Sequence, residues 1–378
     1  MKVPFYQHAL TDADAAAVAD VLRTPFLTTG AVARGVEEQL RAYFDVPHAL
    51  VCSSWTNGAF AALLALDVGP GDEVVLPAMT FVACANVVEL TGARPVFVDV
   101  DPDTLLMDVD ACRAALTPRT RVVMPVHLYG QMVDMRRLAA AIKEVRADIV
   151  LLEDGAHAFE ATYGGERPGR HGDLAIFSFY ATKNVTCGEG GAIIGHDPAL
   201  MERLRQALLH GMSAGAADRF AGAYYRHWDV ENLGTKANLP DLLAALLPAQ
   251  IAHIDERRET RQALVDRYRA GLHPALRFAA VRAEARSAHH LFPIHVPGEL
   301  RDRFLYELNS AGIGTTVNYR SVHRLTFYSR KYGIADAALP VSAAWGDGVV
   351  SLPLYLSLDE PRQNYVIERV NELVDALL

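Results

Sequence analysis

LAIFSFYATKNVTCGEGGAIIG, residues 174–195, decides the reading of this chain. It opens as an apolar run (174–180), turns polar around Lys183, passes through the glycine cluster GEGG (188–191) and resumes as a second apolar strand. A lysine between a buried strand and a glycine cluster is unusual, because lysines avoid such sites. Nearby glycines let another group approach the backbone. An amine held in a partly buried site has a lowered pKa, which suits Schiff-base chemistry. Alone, the lysine could equally stand in a surface turn. The glycines are not a dinucleotide fingerprint: Gly188-Glu189-Gly190 runs on as Gly191-Ala192-Ile193 and opens a strand rather than a helix. A Rossmann dehydrogenase is therefore disfavoured.

Upstream, further runs read as strands: HALVC (48–52), VVLPA (74–78), PVFVDVD (95–101), RVVMPVHLY (121–129) and DIVLLED (148–154). They are apolar throughout rather than alternating, as expected of strands buried on both faces. Helical stretches such as GAFAALLAL (58–66) and ACANVVEL (83–90) stand between them. That alternation predicts an α/β fold with a mostly parallel sheet and helical crossovers. From about residue 250 the texture changes. QIAHIDERRETRQALVDRYRAGL (250–272) reads as one long charge-laced helix, and HLFPIHV (290–296), a helix near 299–311 and IGTTVNYR (313–320) suggest a smaller α+β domain. We expect a large domain over 1–250 and a linker helix with a small domain over 251–378; the first dozen residues pack on the latter.

Length agrees, since 378 residues at about 150 per domain predict two domains. With 51% hydrophobic and 21% charged residues, a large core is available and disorder is excluded. A net charge of −9 argues against a nucleic-acid or membrane-surface partner. Cys52, Cys84, Cys112 and Cys187 have neither metal-ligand spacing nor the density of a disulfide framework. No metal site is expected, and with no signal-peptide pattern the expected location is cytoplasmic.

In an open α/β sheet, ligands bind at the carboxyl ends of the strands. After HALVC come Ser53, Ser54, Trp55, Thr56 and Asn57 at a helix start, where free amides and the helix dipole favour a phosphate. After DIVLLE comes Asp154, followed by Gly155, Ala156 and His157; a carboxylate there caps a helix or faces a cationic ring nitrogen. A phosphate-ready helix start, a strand-end acid and a buried lysine together match the needs of pyridoxal 5'-phosphate.

These segments resemble the DegT/DnrJ/StrS family of nucleotide-sugar aminotransferases, which has the aspartate-aminotransferase type of fold (fold type I). The similarity runs through VPFYQ (3–7), FLTTG (26–30), CSSWTNGA (52–59), GPGDEVVLPAMTFVACAN (69–86), HLYGQ (127–131), EDGAHA (153–158), FSFYATKNVTCGEGG (177–191), KANLPDLLAAL (236–246), NYRSVH (318–323) and VSLPLY (350–355). The resemblance implies Lys183 as the catalytic Schiff-base lysine and Asp154 as the acid on the pyridine nitrogen. It places His157 near the phenolic oxygen and Phe81 stacked on the ring. Thr56, Asn57 and Ser178 would contact the phosphate. Asn238 would reach the phosphate of a neighbouring subunit, implying a homodimer with shared sites. Tyr6, Phe26, Thr28, Arg226, Tyr319, Arg320 and His323 are the substrate-pocket candidates. Trp55, Asn318 and Leu356 depart from the family pattern, the first two where they could shape that pocket.

The activity implied is ping-pong transfer of an amino group from an amino acid, L-glutamate, to a nucleotide-linked keto sugar. SSWTNGA and NYRSVH look more like members acting at C4 of a 4-keto-6-deoxyhexose than at C3. A keto-cyclitol aminotransferase and a non-catalytic regulatory protein of the same fold are the alternatives. The dehydratase branch, which replaces the lysine with histidine, is disfavoured by Lys183.

Overall fold

The computed structural model describes residues 1–213 and 227–377. Among them, seven strands form one sheet: β1 (His48–Cys52), β2 (Glu73–Pro77), β3 (Arg94–Val98), β4 (Thr120–Val123), β5 (Val150–Asp154), β7 (Leu174–Ser178) and β8 (Gly191–Gly195). The two-residue strand β6 (Thr162–Tyr163) lies outside it. The order is β1-β8-β7-β5-β4-β2-β3. Ladders from β3 across to β7 are parallel, and β8 runs antiparallel to both its neighbours.

The apolar runs form strands because both faces are covered. Leu50, Leu174, Ile176 and Ile193 point into one core cluster, while Val51, Ala175, Phe177, Ala192 and Ile194 enter a second. Successive residues on a strand face opposite ways, so each of these strands feeds both layers. Each such Leu, Ile, Val or Phe side chain gains about 1.5–3 kcal/mol from full burial. Helices Trp55–Ala65, Ala83–Leu90 and Met135–Lys143 return the chain between parallel strands. Two of these are started by side-chain caps: Ser54 accepts from the Asn57 amide and Asp134 from the Arg137 amide.

A third cluster joins Val3 to Val265, Tyr268, Phe292, Ile294, Leu352 and Val366. It sits on a small sheet of β9 (Arg277–Phe278), β11 (Phe292–His295) and β12 (Val349–Leu352), while β10 (Ala285–Arg286) pairs with β6. Val3 is fastened there by its amide to the Gly312 carbonyl and by the Gly314 amide to its own carbonyl, each 2.8 Å.

Three elements differ from expectation. RVVMPVHLY is ladder only to Val123; the chain then bends, because Pro125 has no amide to donate and Leu128–Gly130 coils into a 3-10 turn. The long helix breaks at His253, whose φ of −113° separates Pro248–Ala252 from Ile254–Gly271. IGTTVNYR forms isolated bridges at Ile313 and Thr316 rather than a strand.

Candidate active site

The carboxyl ends of β1, β5 and β7 open on a cleft of about 540 Å³. Asp154, the last residue of β5, lies at its base and is buried. Its Oδ1 accepts from the Ala156 amide (2.9 Å) and its Oδ2 from the Cys84 thiol (3.1 Å). Burial raises the carboxyl's pKa, opposed by these two donors and by the Lys183 charge. Burial and the Asp154 charge hold the Cys84 thiol far above its usual range, so it remains a donor. Among the described residues no cation forms a salt bridge with Asp154.

Lys183 stands in the loop joining β7 to β8. Its amide donates to the Tyr180 carbonyl (2.9 Å), and the Phe179 and Cys187 amides close the loop onto Gly190 and Phe179. Gln250 clamps it from outside: its Oε1 accepts from the Thr186 amide (3.1 Å) and its Nε2 donates to the Thr186 carbonyl (2.7 Å). Burial lowers the Lys183 amine to about 8 despite the nearby Asp154 charge. Gly191 lets β8 pass the start of the helix Trp55–Ala65: a Cβ there would lie 2.8 Å from the Trp55 amide nitrogen and 2.7 Å from the Phe177 carbonyl oxygen.

The His157 tautomer follows from its neighbours. Tyr129 adopts a left-handed backbone (φ 59°), uncommon for a residue with a side chain. It aims its amide at His157 Nδ1, 3.2 Å away. Nδ1 is therefore an acceptor, and Nε2 carries the proton that it donates to the Tyr319 hydroxyl (3.2 Å). Burial, then the Lys183 charge, lowers the imidazole well below its ordinary pKa, keeping it neutral. The Tyr129 hydroxyl donates to the Asn318 carbonyl (2.5 Å), tying this corner to the segment that carries Tyr319.

Thr56, Phe81, Asp154, His157, Ser178, Lys183 and Tyr319 thus line one cleft. Asn57 is not among the lining residues: its backbone amide, the expected phosphate donor, donates to the Ser54 hydroxyl (3.1 Å), and its side-chain amide to the Ser53 hydroxyl (2.9 Å). Tyr6 lines a small adjoining pocket with Lys183 and Arg257. Phe26, Thr28, Asn238, Arg320 and His323 are not among the lining residues of this chain's cleft. Asn238 donates to the Thr29 hydroxyl (2.6 Å), and His323 is held by Ser321 (2.7 Å) and Asp336 (3.0 Å). Arg226 lies outside the described residues. Sequence reasoning missed His290, which lines the cleft 3.4 Å from the Lys183 amine; a His-His pair ahead of an apolar strand was its only local sign. It also missed Cys84 and Gln250, which touch the site through Asp154 and the lysine loop.

This geometry fits pyridoxal phosphate. Asp154 is a buried carboxylate without a cation, as a protonated ring nitrogen requires. Ser54 accepts from the Asn57 amide, and among the described residues the Trp55 and Thr56 amides have no acceptor. Free amides at a helix start beside the Ser178 hydroxyl suit a phosphate. No helix among the described residues is long and apolar enough to cross a membrane.

Residues 8–371 match the model of the DegT/DnrJ/EryC1/StrS aminotransferase family. The chain is 36% identical over 364 residues to the spore coat polysaccharide biosynthesis protein SpsC of Bacillus subtilis, covering 94% of this chain and 93% of that one. Among solved structures it is similar to Spr1654 of Streptococcus pneumoniae, a proposed sugar aminotransferase, in its PMP form (30% identity, TM-score 0.94, 100% of both chains). The PLP form of the same protein gives a TM-score of 0.92 at 30% identity over 100% of both chains. DesV of S. venezuelae is 33% identical, with a TM-score of 0.87 over 96% of this chain and 94% of that one.

Proposed function

The chain belongs to the DegT/DnrJ/EryC1/StrS aminotransferase family, and on that premise we propose that it aminates a nucleotide-linked keto sugar, at C4 of a 4-keto-6-deoxyhexose, with L-glutamate as donor. It is a pyridoxal-phosphate-dependent aminotransferase. The observation that carries the reading is Lys183 facing a cleft built on Asp154 and a free helix start.

Bound pyridoxal phosphate supplies an electron sink for the charge left when a proton leaves the amine-bearing carbon. The chain's own groups do the rest. Asp154 holds a proton on the ring nitrogen by its negative charge. The Trp55 and Thr56 amides and the Ser178 hydroxyl bind the phosphate, joined by Asn238 of a second subunit. Phe81 would cover one ring face, and His157, whose Nε2 proton is held on Tyr319, would border the substituted edge. Lys183 Nζ would take the proton from the donor's amine-bearing carbon and deliver it to the carbon on the other side of the amine nitrogen, a 1,3 shift; an amine near 8 is partly uncharged at neutral pH. The same residues act in reverse on the keto sugar.

The cleft volume of about 540 Å³ lies within the ~300–1,000 Å³ that small-ligand sites occupy. Tyr6 and Tyr319, together with Phe26, Thr28, Arg226, Arg320 and His323, are the sugar and nucleotide contacts in this reading, some of them supplied across a homodimer. Phe26 (54% exposed), Leu27 (50%) and Tyr180 (47%) offer apolar area for that second copy. The reading also divides the chain near residue 250 into a cofactor part and a smaller part, and places the enzyme in the cytoplasm.

Cofactor-loaded protein incubated with L-glutamate and a nucleoside-diphosphate 4-keto-6-deoxyhexose should yield the 4-amino sugar, and Lys183→Ala should not. Amination at C3, or turnover only with a keto-inositol, overturns the substrate assignment.

A further inference from the structure

Lys183 is not alone on its side of the cleft. His290, just before β11, brings Nε2 to 3.4 Å from the Lys183 amine, although 107 positions separate them in the chain. The ring's other nitrogen, Nδ1, lies 3.3 Å from Asn184 Oδ1. Asn184 cannot turn its amide over. Both protons of its Nδ2 are used, on Glu160 Oε1 (2.7 Å) and the Ala288 carbonyl (3.0 Å). Glu160 is in turn paired with the buried guanidinium of Arg261, whose Nε donates to the same Ala288 carbonyl (3.0 Å). Asn184 Oδ1 is therefore an acceptor, His290 Nδ1 carries the ring proton, and Nε2 presents a lone pair to the lysine.

We propose that His290 is a positioning residue for Lys183, a fixed acceptor that holds the released amine toward the cleft and stabilises its protonated form, with its tautomer set by Asn184, Glu160 and Arg261. This rests on Lys183 being the reactive amine. His290 does not take the proton: burial, followed by the Lys183, His157 and Arg261 charges, depresses the imidazole well below its ordinary range. Other groups act on the amine as well. Asp154 favours its charge, the Cys84 thiol and the rings of His157 and Tyr319 border the cleft, and Tyr6, Arg257 and Arg261 line the adjoining pocket. A merely packed His290 would contribute volume and no acceptor.

The test uses the cofactor-free full-length protein, so failure of the sugar assignment leaves it intact. Acetylation of Lys183 by acetic anhydride is followed against pH by peptide mass spectrometry. In His290→Leu the titration midpoint of the amine falls by about one pH unit, because the ammonium loses an acceptor. His290→Gln, which keeps an acceptor, stays close to the parent. An unchanged midpoint in His290→Leu, or equal shifts in Leu and Gln, overturns the proposal. If His290→Leu does not fold by circular dichroism, Asn184→Ala replaces it: the freed imidazole changes tautomer and the midpoint again falls, whereas an unmoved midpoint overturns the proposal.

Discussion

Replacing Gln250 with Leu tests how the reactive loop is held. The side chain is 2% exposed, and Leu keeps its bulk while removing its amide. The Thr186 amide and carbonyl, bonded to Gln250 at 3.1 and 2.7 Å, would both lose their partner. Thr186 is itself buried, so water cannot replace the bonds without opening the loop. Each abandoned group costs about 1–3 kcal/mol, so the pair would cost about 2–6 kcal/mol if the loop stayed closed. Opening the loop caps that cost. The expected outcome is therefore a local one: global stability in urea falls by about 2–3 kcal/mol, toward the low end of that range. Amide exchange at Val185–Gly188 accelerates by more than tenfold relative to the sheet strands. Cofactor affinity weakens with it, because Lys183 is carried on the opened segment. Hydrogen-exchange mass spectrometry on parent and variant reads the loop directly. Exchange unchanged at these residues, with unchanged urea stability, would refute the clamp.

Two further perturbations address buried charge. Arg261→Met should destabilise by about 3–5 kcal/mol because Glu160 stays buried without its cation, and adding Glu160→Met should recover most of the loss. Additive costs in that double-mutant cycle would show that the two residues are not coupled. Lys183→Met in the cofactor-free protein should stabilise the fold in a pH-dependent manner. The amine falls from 10.5 to about 8 on folding, so burying its charge is penalised fully below pH 8, and the penalty fades as pH rises to 10.5. The gain from Met should follow that course in urea melts, and a gain that grew with pH would contradict the sign.

Much of the sheet was legible because a strand buried on both faces is apolar along its run, as VLL (150–152) and LAIF (174–177) are before their polar ends. Lys183 and Asp154 were legible for the opposite reason, being charged groups set where apolar runs end. What could not be read is what tertiary contact alone decides. RVVMPVHLY stays apolar past Val123 because the bend at Pro125 is as buried as the strand, so composition carries no mark of where pairing stops. The break at His253 lies inside a segment whose helical spacing continues across it. His290 reaches Lys183, and Gln250 reaches Thr186, through folding of distant segments, and neither residue type announces such a partner. Among the substrate-pocket candidates, Tyr319 and Tyr6 reach the lysine's surroundings. Phe26, Thr28 and Asn238 do not line this chain's own cleft, a distinction that a single sequence does not encode.

The reversed direction of β8 has a consequence for reading other sequences. Ser178 pairs with Gly191 across the ladder, so the segment carrying the lysine is stitched to the sheet at both ends in fixed register. From β1 to β5, the connections between successive parallel strands pass through helices and can lengthen without moving the strand ends. Here one added residue must be swallowed within the loop or slide every following side chain to the opposite face of the sheet. Spacing between serine, lysine and the closing glycine is therefore a geometric checksum. A chain that keeps all three letters but alters the intervals would not present its amine to the acid of β5.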